Sequence, residues 1–200
     1  YKKEGIWQLG EEAAAAANGQ EPGDIKVQDV DGNGVITTDD RIIYSQRPDV
    51  TFGFNNTFNY KGFDLSVFLY ARLGQWIAYD YNTTYRINAL ENGGNVDYWT
   101  PENPTNAFPR PNKSKSYTQV TYYSTLKYED GSFFKIRDIT LGYTFKPELL
   151  KHLNLSRLRV YATAKNFFTF SKIDNYDPEQ GGSISFPMTK QLVFGLNVEF

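Results

Sequence analysis

The chain has 200 residues, a formal net charge of −2 and no cysteine, and 16% of its residues are aromatic. The small net charge gives no reason to expect a nucleic-acid partner, and the lack of cysteine excludes disulfides, thiol catalysis and thiolate zinc sites. No apolar run approaches the roughly 18 residues of a membrane-spanning helix. A polar chain rich in aromatic residues can still cross a membrane with β-strands.

Residues 1–48 are predicted to be loop-like apart from one short helix. The alanine run within residues 10–20 favours a helix that ends at Asn18 and Gly19. The sequence EPGD then breaks the helix, and the acidic sequence DVDGNGVITTDD follows at residues 29–40. We therefore treat residues 1–48 as one segment and residues 49–200 as the part that carries the strands.

The acidic segment 29–40 has the spacing of an EF-hand calcium loop. Such a loop supplies oxygen ligands at positions 1, 3, 5, 7, 9 and 12 and a glycine at position 6. Here position 6 is Gly34, and position 12 is aspartate instead of the usual glutamate. The alternative is an acidic turn held by hydrogen bonds between side chains and backbone. The predicted ligands of a structural Ca²⁺ are Asp29, Asp31, Asn33, the carbonyl of Val35, Thr37 and Asp40.

Alternation of apolar and polar residues predicts five β-strands in the rest of the chain, because successive side chains of a strand point to opposite faces. Lys135 and Arg137 interrupt the apolar face of the third strand, which predicts a β-bulge or the entry of that strand into a polar zone. Strands of about ten residues, joined by alternately short and long connections, favour a transmembrane barrel over a soluble antiparallel sandwich. The strands are expected at residues 51–60, 63–72, 132–145, 155–168 and 191–200, with long connections at 74–131 and 169–188.

Several phrases occur in a family-specific order: EGIWQLGEEA, PGDIKVQDVDGNGVITTDDR, FGFNNTFNYKGFDLSVFLYARLGQ, YWTPENPTNAFPR, SFFKIRDITLGYTF, LRVYATAKNFFTFS, YDPE and LVFGLNVEF. Together they resemble the C-terminal part of SusC/RagA-type TonB-dependent outer-membrane transporters of Bacteroidota. The resemblance implies an all-β, antiparallel transmembrane β-barrel with 22 strands, of which this chain would supply the last five. It also implies long extracellular loops at 1–48, 74–131 and 169–188, and a plug and TonB-contacting segment N-terminal to the present residues.

The same resemblance implies import of oligosaccharides or peptides, driven by TonB, with a SusD-like lipoprotein that caps the barrel outside. Phe200 resembles the C-terminal aromatic residue that the assembly machinery reads in this family, although it can also be simply the last lipid-facing residue.

Aromatic residues in the long connections are candidates for contacts with the substrate or with the lipoprotein lid. Aromatic rings stack on sugar faces, and they also dominate protein interfaces. The alternative is that they pack within the loops. These residues are Trp76, Tyr79, Tyr81, Tyr85, Trp99, Tyr117, Tyr122 and Tyr123.

No residue pattern supports catalysis, so the chain is predicted not to be an enzyme. Its single histidine, His152, lies in a predicted turn and has no nucleophile at a plausible strand end. The leading hypothesis is a barrel segment of a TonB-dependent importer in the bacterial outer membrane, in contact with lipid. A soluble, calcium-stabilised β-domain that binds glycans is the main alternative, and a passive porin-like barrel is another.

The expected topology follows from placing Phe200 at the periplasmic end of the last strand. The short turns near Lys61 and at 146–154 then fall in the periplasm, and the acidic loop lies outside the cell. The residues expected to face lipid are Leu192, Phe194, Leu196, Val198 and Phe200, and those expected to face the lumen are Asp64, Arg159, Tyr161, Asn197 and Glu199.

Overall fold

The computed structural model describes residues 1–88, 93–116 and 119–200. The chain divides into two compact units, which we describe separately. The first unit consists of residues 1–45, 77–129 and 182–184, and the second consists of residues 46–76, 130–181 and 185–200. Within the described ranges, no helix is both long and apolar enough to cross a membrane.

The first unit is built on a small antiparallel sheet and an apolar core. Strand β1 (Lys3–Ile6) pairs with β2 (Ile25–Val27), and helix α1 (Glu12–Ala17) lies between them in the chain. Asn18 caps the C-terminus of this helix, which confirms the prediction of a short helix here. Strands of three or four residues carry too little alternation to be detected, so β1 and β2 are absent from the loop-like prediction for residues 1–48. The core consists of Ile6, Ile25, Val27, Trp99 and Leu126.

The long connection 74–131 contains regular elements near both of its ends. Strand β5 (Trp76–Ala78) pairs with β6 (Tyr128–Asp130). In the chain, the 3-10 turn Asp80–Thr84 follows β5, and the 3-10 turn Tyr123–Lys127 precedes β6.

The second unit is dominated by a five-stranded antiparallel sheet with the order β3-β4-β7-β8-β9. Each strand begins and ends within three residues of its predicted bounds, so the prediction of five antiparallel strands is confirmed. The short connection between β7 and β8 holds helix α2 (Pro147–Leu150) and the 3-10 turn Lys151–Leu153. The strands are β3 (Val50–Tyr60), β4 (Phe63–Leu73), β7 (Phe133–Thr144), β8 (Arg157–Ser171) and β9 (Gln191–Glu199).

A two-residue turn joins β3 to β4. Tyr60 pairs with Phe63, and the two residues between them, Lys61 and Gly62, both have positive φ, at 47° and 89°. Positive φ at both central positions defines the type I′ turn, whose twist matches that of an antiparallel hairpin. The turn fixes the register of the hairpin and therefore decides which side chains share a face.

One face of the sheet is apolar and solvent-exposed. The side chain of Phe194 is 77% exposed and that of Phe58 is 61% exposed, although both residues lie within strands. Monomeric soluble proteins rarely leave a contiguous apolar surface of this kind uncovered. The register places these residues on this face: Phe52, Phe54, Phe58, Leu65, Val67, Leu69, Ile139, Leu141, Val160, Ala162, Leu192, Phe194, Leu196 and Val198.

A β-bulge at Arg137 shifts the alternation of β7. On the neighbouring strand β4, Phe68 pairs with Asp138 and the next residue, Leu69, pairs with Ile136, so Arg137 has no partner of its own. The extra residue moves Lys135 onto the same face as Asp138, which is the polar face of the sheet. The predicted bulge is therefore confirmed, and it explains why Lys135 does not disturb the apolar face.

Candidate functional site

The acidic loop 29–40 brings three carboxylates together. Ligand oxygens of Asp29, Asp31 and Asp40 all lie within 4.8 Å of one another. Two oxygens on opposite sides of a single Ca²⁺ are separated by about 5 Å, since each lies about 2.3–2.6 Å from the ion. The spacing of the three carboxylates therefore fits one shared cation.

Backbone N–H groups hold these carboxylates in place. Asp29 accepts hydrogen bonds from the N–H groups of Gly32 (2.8 Å) and Gly34 (2.7 Å). Gly34 has a φ of 83°, which explains the need for glycine at the sixth position of the loop. Asp31 accepts from both the backbone and the side-chain amide of Asn33, at 3.0 and 2.8 Å. Such bonds between side chains and backbone are expected for an acidic turn without a metal. They also hold the carboxylate oxygens in position for a cation.

Asp40, the last residue of the acidic loop, binds the backbone of the loop through its carboxylate. It is fully buried, and its carboxylate accepts hydrogen bonds from the backbone N–H groups of Thr37 and Val30, both at 2.7 Å. These two bonds hold the pKa of the Asp40 carboxyl below its usual range, and the bond from Thr37 has the larger effect. The hydroxyl oxygen of Thr37 accepts from the N–H of Asp39 and caps the 3-10 turn Thr38–Asp40. Of the other predicted ligands, Asn33 accepts from the N–H of Val35 at 2.8 Å.

The polar face of the five-stranded sheet carries a row of residues that crosses all five strands. The register aligns Asn59, Asp64, Gly142, Tyr161 and Gly195 in this row. The ring of Tyr161 lies over Gly195, where a Cβ atom would approach its Cζ to 2.3 Å. Glycine in the row therefore makes room for a large side chain from the neighbouring strand.

Arg159 lies two residues before Tyr161 on β8, on the same face of the sheet, and contacts this row. Its Nε donates to Asp64 at 2.8 Å, and its guanidinium lies 4.9 Å from the ring centroid of Tyr161. Asp64, Arg159 and Tyr161 therefore share one face, together with Asn197, which pairs with Arg159. One row away, the hydroxyls of Thr140 and Thr163 are 2.9 Å apart.

A buried lysine ties the connection 169–188 to the polar face. Lys135 is fully buried, and its Nζ donates to both carboxylate oxygens of Asp177 (2.8 and 2.7 Å) and to Glu179 (2.7 Å). Arg137 forms a second ion pair with Glu179 at 3.2 Å. Asp177 also caps the 3-10 turn Pro178–Gln180 through the N–H of Glu179. The sequence gives no local signal for this cluster, because its partners are about 40 residues apart.

Three of the loop aromatic residues are buried in the first unit. Tyr79, Tyr85 and Trp99 are almost inaccessible to solvent. The hydroxyl of Tyr85 donates to the carbonyl of Pro109 at 2.9 Å, and burial raises its pKa well above the usual range. The indole N–H of Trp99 donates to the side chain of Gln8 at 2.8 Å. These three rings pack within the unit, which agrees with the alternative that the loop aromatic residues serve packing.

The remaining aromatic candidates are partly exposed. Trp76, Tyr81, Tyr122 and Tyr123 are half-buried, so part of each side chain can reach a ligand or a partner. The hydroxyl of Tyr81 donates to the carbonyl of Asn95 at 3.2 Å. The prediction for Tyr117 lies outside the described residues.

Two predicted positions lie at exposed ends of elements. Phe200 follows the last residue of β9 and is 93% exposed. His152 lies exposed in the 3-10 turn Lys151–Leu153. Neither residue contributes to the acidic loop or to the polar face.

Comparison with known proteins gives matches along the whole chain, although no family model matches. The chain is 30% identical over 226 aligned residues to TonB-dependent receptor P3 of Formosa agariphila, covering 100% of the chain and 22% of that receptor. It is 31% identical to TonB-dependent receptor P26 of the same organism, covering 98% of the chain and 22% of the receptor. It is also 31% identical to TonB-dependent receptor SusC of Bacteroides thetaiotaomicron, covering 86% of the chain and 17% of that protein. The chain thus spans about a fifth of the length of these relatives.

Solved structures of a RagAB peptide transporter share the fold. One matches with a TM-score of 0.70 and 25% identity, covering 100% of this chain and 22% of the matched chain. A second, of the RagAB peptide importer in a closed-closed state, matches with a TM-score of 0.66 and 28% identity, covering 87% of this chain and 20% of the matched chain. The predicted fold class is confirmed, and the five strands form an open sheet and not a closed barrel.

Proposed function

Because the chain is homologous along its whole length to SusC/RagA-type TonB-dependent receptors, we propose that it forms five strands in the wall of an outer-membrane importer. The observation that carries this proposal is the sheet itself, with its exposed apolar face and its hydrogen-bonded polar face. In the whole protein, further strands would pair with the two edge strands, β3 and β9. Unpaired backbone groups at a sheet edge would be prohibitive in lipid.

The apolar face is assigned to lipid and the polar face to the barrel interior. Strands of this sheet have 9–15 residues, which suits the tilted strands of outer-membrane barrels. The ion pair of Asp64 with Arg159 and the buried Lys135 cluster lie on the polar face, where each charge has a partner of opposite sign. On the lipid face the same charges would be costly.

The connections suggest which end of the sheet lies outside the cell. Both short connections, at Lys61 and at residues 146–154, leave the same end of the antiparallel sheet, and we assign that end to the periplasm. The long connections 74–131 and 169–188 and the segment 1–48 are then extracellular. This assignment follows the asymmetry of outer-membrane barrels, in which the periplasmic turns are short.

We assign one structural Ca²⁺ to the acidic loop. The proposed ligands are Asp29, Asp31, Asn33, the Val35 carbonyl, Thr37 and Asp40, supported by the three carboxylates that lie within 4.8 Å of one another. The ion would tie the entry of the loop to its exit, which leads into β3, and so serve as a clasp outside the cell. Such a clasp needs no flanking EF-hand helices, because the cation itself joins the two ends.

The partners and the substrate class are proposed from the relatives. A SusD-like lipoprotein is the proposed lid, and TonB would act through a part of the protein other than this chain. The substrate would be an oligosaccharide or a peptide; the matched RagAB structures are named as peptide transporters. The curated relatives are named as receptors, which supports a role in transport and not in catalysis.

Cysteine labelling on intact cells tests the topology. Asn33→Cys in the full-length protein should react with an impermeant maleimide, and Lys61→Cys should react only after the outer membrane is permeabilised. The parent protein, whose 200 residues here contain no cysteine, provides the background signal. Labelling of Lys61→Cys but not Asn33→Cys on intact cells would reverse the topology and remove the external clasp. If the full-length protein is instead recovered from buffer without detergent, the soluble glycan-binding alternative replaces the barrel.

A further inference from the structure

One end of the five-stranded sheet, where both short connections lie, carries a group of exposed lysines. Lys61 lies in the turn between β3 and β4, and Lys146 and Lys151 directly precede and follow helix α2 in the other short connection. Within the part of the chain that the structure describes, no carboxylate lies close enough to form an ion pair with any of these three ammonium groups. Their charges are therefore available to a partner outside this chain.

The carboxylates near these lysines do not balance their charge. Glu148, in α2, is the single acidic residue of the two short connections. At the neighbouring strand ends, Glu199 is paired with Arg157 at 3.3 Å, and Asp64 is paired with Arg159. Three lysines face one free carboxylate, so this end of the sheet is positively charged. Basic groups beside a lipid-facing surface attract anionic headgroups.

A row of aromatic rings lies on the apolar face beside the turn at Lys61. The register aligns Tyr60, Phe63 and Tyr143 across β3, β4 and β7. The ring centroids of Phe63 and Tyr143 are 4.6 Å apart, and the Nζ atom of Lys61 lies 5.1 Å from the ring centroid of Tyr60. Aromatic rings near the ends of lipid-facing strands mark the level of the lipid headgroups. The ammonium of Lys61 therefore lies at the level expected for lipid phosphates.

A shallow groove of about 270 Å³ extends from this row along the apolar face. Its lining includes Phe63 and Tyr143 of the row and Phe194 of β9. Between Leu141 and Phe194 the register places Ala162, whose short side chain leaves a depression between two larger neighbours. The volume is smaller than the roughly 300–1,000 Å³ of small-molecule sites, so the groove suits part of an acyl chain and not a whole small molecule.

Backbone contacts hold the lysines next to the groove. The N–H of Thr144 donates to the carbonyl of Gly62 at 2.7 Å. A Cβ atom at Gly62 would lie 3.2 Å from the ring of Tyr143, so the turn packs directly on a side chain that lines the groove. Lys61 precedes Gly62, and Lys146 follows Thr144 by two residues. Both lysines therefore extend from backbone segments that meet at the end of the groove.

We propose that this end of the sheet binds an anionic phospholipid of the periplasmic leaflet. The phosphate would lie beside Lys61, and Lys146 and Lys151 would supply further positive charge. One acyl chain would lie in the groove, against Tyr143 and Ala162. The inference rests on the proposed barrel wall and adds to it a preference for one class of lipid.

Two phospholipids with identical acyl chains test this preference. The full-length protein, purified in a nonionic detergent, is titrated with phosphatidylglycerol and with phosphatidylcholine, and native mass spectrometry measures the fraction of protein that binds each lipid. Phosphatidylglycerol has a net negative charge, and phosphatidylcholine has none. One lysine beside a lipid surface changes binding about fivefold, so we expect phosphatidylglycerol to bind at least about fivefold more tightly.

Lysine substitutions locate the headgroup. Lys61→Gln and Lys146→Gln should each weaken binding of phosphatidylglycerol about fivefold and leave binding of phosphatidylcholine unchanged. Lys190→Gln is the charge-matched control, because Lys190 is also exposed but precedes β9 at the opposite end of the sheet. It should change the binding of neither lipid.

Substitutions in the groove locate the acyl chain. Ala162→Leu should fill the depression and weaken both lipids to the same extent. Ala164→Leu is the control, since Ala164 lies on the same face of β8 but is not among the described residues that line the groove. Heat-modifiable migration in gels shows that each variant is folded.

Three results would overturn the inference. The first is equal affinity of the folded protein for the two lipids. The second is a preference for phosphatidylglycerol that survives the combined substitution of Lys61, Lys146 and Lys151 by glutamine. The third is full competition by sn-glycerol 3-phosphate, which has the phosphate without acyl chains and would reveal a site for soluble anions. Failure of the transport proposal would appear separately, as full-length protein that is recovered without detergent.

Discussion

Asp64 and Arg159 form an ion pair across a strand that separates them. Arg159 lies on β8 and Asp64 on β4, and the guanidinium spans β7 with both Nε and a terminal nitrogen bound to the carboxylate, at 2.8 and 2.5 Å. The residue of β7 beneath the pair is Gly142, where a Cβ atom would lie 2.5 Å from Arg159 and from Asp64. The missing side chain of Gly142 therefore permits a contact between strands that are not neighbours.

Gly142→Ala should separate this ion pair and destabilise the sheet. Hydrogen bonds to charged groups contribute about 1.5–3 kcal/mol, and partial relaxation of the arginine should reduce the loss to about 1–2 kcal/mol. The free energy of unfolding in detergent, measured by denaturant titration, checks this value. Gly53→Ala is the control, because a Cβ atom there would meet only the ring of Phe68 at an ordinary 3.7 Å. Equal losses in the two variants would show that the pair does not depend on Gly142.

Lys135→Met should release the connection 169–188 from the sheet. It would leave the carboxylates of Asp177 and Glu179, only 13% and 11% exposed, without their buried cation. Removal of one partner from a buried ion pair costs about 3–5 kcal/mol. Hydrogen exchange should therefore become faster in residues 174–181, while the strands stay protected.

Lys165→Met is the control for the lysine cluster. Lys165 pairs with Asp138 at 3.8 Å, and both side chains are partly exposed, so its loss should cost less than about 1 kcal/mol. Adding Asp177→Asn and Glu179→Gln to Lys135→Met should restore part of the protection, because the stranded charges are then removed. Unchanged exchange in Lys135→Met would show that other contacts hold the connection.

Asp31→Asn should weaken calcium binding at the acidic loop by about tenfold or more, because affinity in such loops depends on the number of charged ligands. Isothermal titration of the full-length protein with CaCl₂ measures this change. Chelation of calcium should also expose residues 29–40 to proteolysis without affecting the strands. Asp39→Asn is the control, since Asp39 is adjacent to the cluster of Asp29, Asp31 and Asp40 but does not belong to it. Equal affinity in the two variants would contradict the proposed ligand set.

Phe194→Arg should impair insertion far more than Val193→Arg. The two residues are adjacent in β9, but Phe194 lies on the apolar face and Val193 pairs with Thr163 on the polar face. Arginine in the lipid-facing centre of a barrel costs about 2–4 kcal/mol, whereas interior positions tolerate charge. The amount of heat-modifiable, folded protein in outer-membrane fractions is the measurement. Comparable loss in both variants would show that β9 does not present Phe194 to lipid.

The sequence predicted the five long strands well, because each of them contains enough alternating residues to define its period. It also located the bulge, since Lys135 and Arg137 broke an otherwise apolar face. The short strands β1, β2, β5 and β6 were not predicted. Strands of three or four residues have too few positions for a period to emerge from local sequence.

The candidate sites also differ in whether their residues are close together in the sequence. The cluster of Asp29, Asp31 and Asp40 was predictable because its members lie within twelve consecutive residues, 29–40. The Lys135 cluster and the row through Gly142 were not, since their members come from different strands and meet only in the folded register. Burial of Tyr79 and Tyr85 was equally hidden, because a loop aromatic residue looks the same in sequence whether it is buried in a core or exposed to a partner.

The bulge at Arg137 divides one strand into two stretches of opposite phase. From Phe133 to Ile136, the odd-numbered residues lie on the polar face of the sheet. From Asp138 to Thr144, the even-numbered residues lie on that face. If the hydropathy of every second residue is averaged over all twelve residues of β7, residues from both faces are mixed and the difference between the apolar and polar faces disappears. Deletion of Arg137 would remove the extra residue and leave Lys135 on the polar face, because its pairing with Tyr70 would be unchanged. Regular pairing of all twelve residues without a bulge would instead turn the ammonium of Lys135 toward lipid, so the strand depends on the bulge to keep this charge on the polar face.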